Sequence, residues 1–257
     1  MQWTRMTHVI AGCGVVGAFF FGCAVDPPAT PVDRVGSRIE LPSGILVDRA
    51  TREVRVPAFV ATRTGYLEQI ACARGTRDHE SLISINVPAS AVHAALLLAG
   101  YESGAPGTWS FEQSNGQQIL RRAAPTGSAL SIAVAMADED GREVVVPIER
   151  WIVGIPGELD FPPSRFIFGG SEFVALPQPD GGPFVETYIA DMTGSIVGLV
   201  TFGDEVIGLE SIIADQLNID SAQWMARGER MPAVGTEVEL VITPARARDA
   251  QPQAQSQ

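Results

Sequence analysis

The stretch Tyr66–Tyr101, YLEQIACARGTRDHESLISINVPASAVHAALLLAGY, decides the fold. Leu67–Ala73 alternates like a strand, Ala73–Asp78 is polar with a glycine, and Glu80–Val87 returns to strand-like, β-branched sequence. This pattern predicts a hairpin. Pro88 then breaks the strand, and Ala91–Ala99 is an almost wholly apolar run that Gly100 can terminate as a helix C-cap. The unit reads strand, turn, strand, buried helix.

Outward from this unit the pattern is β. Ile45–Asp48, a turn at Arg49–Thr51 and Glu53–Ala61 form one expected hairpin, and Leu130–Ala137, the turn Asp138–Gly141 and Arg142–Ile148 form another. Arg52-Glu53-Val54-Arg55-Val56-Pro57 even resembles Arg142-Glu143-Val144-Val145-Val146-Pro147. Ser164–Phe168, Phe184–Ala190, Ser195–Phe202 and Glu237–Ile242 are further strands, joined by Gly/Pro turns. Tyr101–Pro125 reads as a polar excursion with one short strand, and Ser221–Arg227 as a second, short helix. The fold class expected is α+β, predominantly antiparallel β, with one buried helix at about 89–100.

The first 22 residues look like an export signal, with Arg5 ahead of an uncharged apolar run from Val9 to Gly22. That run ends FFFGCAVDPP, which resembles a bacterial lipoprotein signal and makes Cys23 the lipidated residue. An uncleaved apolar anchor is the alternative, since about 18 apolar residues is only just spanning length. Ala24 after the cysteine points to outer-membrane sorting. Residues 23–43 then form a Pro-rich tether, 44–245 a single β-rich domain, and 246–257 a tail. Gly12-Cys13-Gly14-Val15-Val16-Gly17 matches a dinucleotide-binding fingerprint, but three prolines in Asp26–Val32 forbid the second strand that motif requires.

The basic residues are 18 arginines against 30 acidic residues, a net charge of -12, and 20 of the acids fall from Thr126 onward. No basic run is present to bind phosphates, which excludes nucleic acid as a partner. The expected partners are the membrane, through the anchor, and an envelope protein or ligand.

With Cys23 lipidated, Cys72 is the one thiol left in the mature chain, and it is either buried or reactive. If the hairpin tip is Arg74–Arg77, Cys72 pairs with His79, their Cβ atoms roughly 4.5–5.5 Å apart. An imidazolium beside a thiol lowers its pKa and makes a nucleophile. Glu68, Cys72, His79 and Ser81 would then share one face, and Glu80 lies next to His79. Cys72, His79, Glu80 and Glu68 are the candidates for thiol- or metal-assisted hydrolysis; a small buried cysteine beside a hydrogen-bonded histidine is the plainer account. His79-Glu80 begins a zinc-protease motif that never completes, and Asp138-Glu139-Asp140-Gly141 is too short for a calcium loop. His93, the one polar residue in its apolar run, reads as a core or boundary histidine. No metal or cofactor is expected.

Leu67-Glu68, Ala71-Cys72, Asp78-His79-Glu80-Ser81 and Val92–Gly100 together resemble the YdjY-like domain family of bacterial envelope lipoproteins. Phe166–Ser171 is similar to that family's aromatic strand ending in Gly-Ser, and Tyr188-Ile189-Ala190-Asp191 with Gly194 to its Tyr-x-Ala-Asp-x-x-Gly turn. The likeness covers roughly Gly44–Ile213. It implies a fold and a location but no activity. Some relatives carry ferredoxin-type cysteine clusters; this chain lacks those cysteines, so no iron-sulfur centre follows.

Overall fold

The computed structural model describes residues 37–155, 159–162, 164–179 and 181–245. Its strands are β1 (Arg38–Glu40), β2 (Leu46–Asp48), β3 (Glu53–Val60), β4 (Gln69–Ala73), β5 (Ser81–Ile85), β6 (Thr108–Ser114), β7 (Gln117–Ala123), β8 (Ala129–Ala137), β9 (Glu143–Pro147), β10 (Ile152–Gly154), β11 (Phe166–Ile167), β12 (Phe173–Leu176), β13 (Val185–Tyr188), β14 (Ser195–Gly198), β15 (Gly208–Leu209), β16 (Trp224–Ala226) and β17 (Glu237–Pro244). Two α-helices accompany them, α1 (Ala89–Leu98) and α2 (Ile189–Thr193). The protein is α+β and β-dominated, as the sequence predicts.

One eleven-stranded sheet runs β14-β4-β5-β3-β17-β8-β11-β15, with β2 carrying β1 on β3 and β9 on β8. The C-terminal β17 lies at its centre, antiparallel to both β3 and β8. Alternation along β3 sorts the two faces of this region: Val54, Val56, Ala58 and Val60 enter one core with Leu130, Ile132, Val134, Leu240 and Ile242, and Val92, Ala95 and Leu96 of α1 belong to the same core. The opposite face carries Glu53, Arg55, Pro57 and Phe59 and is partly open to solvent. Arg55 holds three carboxylates there: Glu53 at 2.6 Å, Glu143 at 2.6 Å and Glu239 at 3.0 Å. The two look-alike segments therefore lie in one sheet as β3 and β9, linked through Arg55 and Glu143.

The hairpins β2–β3 and β8–β9 form as expected. Asp138 closes the second by accepting the Asp140 and Arg142 N–H groups on one carboxylate oxygen, which makes the acidic tetrapeptide a turn. Helix α1 ends in a Schellman arrangement: the Tyr101 N–H donates to the Leu96 carbonyl and Gly100, at φ 85°, to the Leu97 carbonyl.

Three readings are corrected. First, β4 and β5 are parallel, with Cys72 level with Ser84, so Arg74–Glu80 is a crossover rather than a hairpin tip. Every residue of β5 is buried, the signature of an interior strand covered on both faces. Second, Tyr101–Pro125 contains a full hairpin of two seven-residue strands, β6–β7, around Asn115-Gly116, both at positive φ. Third, Ser221–Arg227 contains β16, paired with β10, not a helix. The second helix is α2, which begins at Ile189 within the span read as strand up to Ala190 and continues to Thr193, and Gly194 ends it at φ 75°.

Candidate functional site

The parallel crossover pulls the expected thiol site apart. Cys72 is 0 % exposed between β5 and β14, whereas His79 sits on a 3-10 turn, Asp78–Glu80, with its side chain 79 % exposed. Burial pushes the Cys72 thiol up, opposed by its contacts with Ser81, the Arg77 backbone and Thr76. Such a thiol is a packing group. In a chain carrying Cys13→Ala and Cys23→Ala, Cys72 is expected to resist maleimide at pH 8 until the domain is unfolded. Labelling of the native chain that slows in the His79→Ala variant would restore the dyad.

Glu68, His79 and Glu80 do converge. The Glu68 N–H donates to the Glu80 carbonyl, and their carboxyls are hydrogen-bonded. Burial, then the neighbouring Glu80 charge, pushes Glu68 up to about 7. Arg77 Nη1 reaches Glu80 at 3.2 Å, His79 Nε2 lies 3.6 Å from it, and the Arg77 guanidinium stacks 4.0 Å above the Phe202 ring. Two carboxyls in contact share a proton rather than both ionise. This arrangement ties the crossover to β4. Among the described residues, no group of three or more His, Cys, Asp and Glu side chains is placed to hold a metal.

A second assembly brings together residues far apart in the chain. His93 Nδ1 lies 2.7 Å from the Tyr188 hydroxyl, which also accepts the Ser171 N–H at 3.0 Å. The hydroxyl has one proton to give, and a neutral His93 whose own proton is on Nε2 accepts it at Nδ1. Burial acts in the same direction: it lowers the His93 pKa and raises that of Tyr188 to about 12. Phe168 meets the imidazole edge-on at 4.9 Å, and Phe173 packs against Tyr188 at 5.1 Å.

The surrounding residues lock this pair. Ser171 Oγ accepts the Ala190 N–H at the start of α2, and Asp191 accepts the Ser90 N–H at 2.8 Å, supplying α1 with an N-terminal cap from another element. Gly170 has φ 72°, and a Cβ there would stand 2.9 Å from His93 Cε1. At Gly194 a Cβ would overlap the Thr76 hydroxyl. The apolar run around His93 predicts a core or boundary histidine, and the structure places it half-buried, but nothing in that run joins it to Ser171 and Tyr188. Periodicity carries no signal for contacts 95 residues apart; the only pointer was that all three lie in motifs shared with the resembling family.

The open β sheet, its single long helix and this hydrogen-bonded His-Tyr pair define a β-dominated α+β domain with a locked polar cluster bordering its surface. The chain belongs to the YdjY domain family, whose model matches residues 45–243. No match is found among curated proteins or among solved structures.

Proposed function

We propose that this chain is an exported lipoprotein, anchored through Cys23 in the outer membrane, whose domain is a protein-binding module rather than an enzyme. Cys23, the export signal at 1–22 and the tether as far as residue 36 lie outside the described residues, and their support is the sequence FFFGCA with its proline-rich sequel; the end of the expected tether is instead part of the domain, since Arg38–Glu40 pairs with β2 as β1. Among the described residues no helix is long and apolar enough to cross a membrane. The observation that carries the binding reading is the surface beside His93 and Tyr188. Phe173 on β12 is 67 % exposed, Phe184 68 %, and Val185 on β13 and Met192 on α2 are exposed too. Phe173 shares one face of the hairpin with Tyr188, while Val185, opposite Leu176, turns to the other, and an exposed aromatic beside a rigid polar cluster is the composition of a docking surface.

The test is a photo-crosslinking residue placed at Phe173, at Phe184 or, as a control, at the equally exposed Leu217, in living cells. A discrete adduct is expected from the first two positions only, and it should vanish when Cys23→Ala releases the chain from the membrane. Equal adducts from all three positions, or none from the hairpin, would reject the reading.

A further inference from the structure

The edge of β9 and the hollow at its end point to a second site, independent of the Phe173 surface. Among the described residues β9 pairs with β8 on one side only, and Val144 and Val145 are exposed. The Asp138 N–H donates to the Arg142 carbonyl at 2.8 Å, so these two residues form a hydrogen-bonded pair of the antiparallel ladder. Such pairs alternate, which turns the backbone groups of Val144 and Val146 toward β8 and those of Glu143, Val145 and Pro147 outward. Pro147, lacking an N–H, occupies an outward position where it forfeits no bond to β8.

Where β9 ends, Val145, Val146 and Pro147 meet Arg150, Trp151 and Arg230 around a hollow of about 350 Å³. The two arginines stand on adjoining 3-10 turns, Ile148–Trp151 and Gly228–Arg230. Eleven of the fourteen described arginines are held by a carboxylate, a carbonyl or an aromatic ring. Arg49, Arg150 and Arg230 are the remainder among the described residues, and two of these three line this one hollow. In a chain of net charge -12, two guanidinium groups lining one hollow with no carboxylate, carbonyl or ring partner among the described residues are a local exception. Of the nearby acids, Glu149 adjoins Arg150 on the same turn, and Asp160 and Glu229 both pair with Arg227. Trp151 lines the hollow too, wholly buried, and its indole N–H has no acceptor among the described residues.

We propose that β9 receives an extended acidic peptide segment of a partner protein, which adds a strand along the outward groups of Glu143 and Val145 and sets a carboxylate between Arg150 and Arg230. The open edge supplies main-chain bonds without regard to sequence, and the arginine pair supplies the preference for an acid. Arg227, already committed to Asp160 and Glu229, takes no part.

The experiment uses the full chain in detergent and three probes: an eight-residue peptide alternating valine and threonine with glutamate at each end, the same peptide with glutamine at each end, and inorganic phosphate. The glutamate peptide is expected to bind, and roughly tenfold more weakly to Arg150→Gln or Arg230→Gln, the loss typical of one charge-assisted bond. Arg49→Gln, which alters an exposed arginine elsewhere, should leave affinity unchanged. Binding should slow amide exchange at Glu143 and Val145 and leave Val144 and Val146, already bonded to β8, as they were. The glutamine peptide should bind about as weakly as the arginine variants. Affinity unmoved by either arginine substitution, or binding without protection of Glu143 and Val145, overturns the proposal. So does phosphate occupying the arginines while neither peptide binds, which would mark an anion site with no strand addition. Because both substituted arginines are exposed, the variants are expected to fold, and an unchanged Phe173 adduct would separate this result from the module reading.

Discussion

Replacing Gly127 by alanine is expected to lower the melting temperature of the domain by about 10 °C. Gly127 has φ 128°, a backbone conformation closed to residues with a Cβ, and a Cβ there would overlap the Phe168 carbonyl oxygen while pressing the Gly104 nitrogen at 2.9 Å. Neither neighbour is the free end of a side chain. Both are backbone, fixed by the Gly104 N–H donating to the Phe168 carbonyl and the Phe168 N–H donating to the Ser128 carbonyl. The strain of the wrong φ, about 1–3 kcal/mol, adds to an overpacking term of similar size. For a domain of this length each kcal/mol lowers the melting temperature by roughly 2–4 °C. Gly116→Ala is the control: φ is 78° there too, but nothing lies within 4 Å of the added methyl, so only the conformational part, about 1 kcal/mol, should appear. Displacing Phe168 also uncovers His93, whose pKa should rise back toward its ordinary value in the alanine variant. Equal losses at the two glycines in thermal denaturation would refute the close approach of the three segments.

The elements legible in sequence were those whose burial is one-sided. β3 and β8 alternate because one face meets the core and the other faces water, and their hairpins follow from the turns at Arg49–Thr51 and Asp138–Gly141. β5 gave no such signal, since both its faces are covered, and a short apolar strand does not encode the direction of its neighbour. The error was costly for the site: antiparallel pairing joins Cys72 to His79, whereas parallel pairing buries one and exposes the other. β6–β7 escaped notice because most of its side chains are exposed; the hairpin is moored through few contacts, the Trp109 indole N–H on Asp215 and Arg122 on Asp220. His93, Ser171 and Tyr188 show a different limit. Each was visible in its own motif, but no spacing rule joins them until the sheet brings their segments together.

Stability should fall as pH rises from about 4.5 to 7, opposite to the usual behaviour of a protein stabilised by ion pairs, and Glu205 should account for most of the fall. Its carboxyl is 2 % exposed, and one oxygen accepts the N–H groups of Phe202, Gly203 and Asp204 at 2.8–3.2 Å. Burial nevertheless dominates and pushes its pKa up to about 7 from 4.5. Between those values the folded protein holds a proton that the unfolded chain has released, so folding is favoured by acid: the contribution is complete below pH 4.5 and lost by the time pH passes 7. A shift of this size is worth about 3 kcal/mol. Glu68 acts in the same direction more weakly, because it is only half buried and water screens it. His93 opposes both, since its lowered pKa makes the unfolded chain the better proton acceptor below its ordinary 6.5. Asp48, Glu143 and Asp220, all lowered by hydrogen bonds, lose their contributions only at still lower pH. The difference between wild type and Glu205→Gln isolates the buried carboxyl. Urea unfolding at half-unit steps from pH 4.5 to 8 should show the two proteins diverging, with the variant gaining on the wild type by about 3 kcal/mol across the range. Parallel curves would mean that the three N–H groups outweigh burial and that Glu205 is ionised throughout.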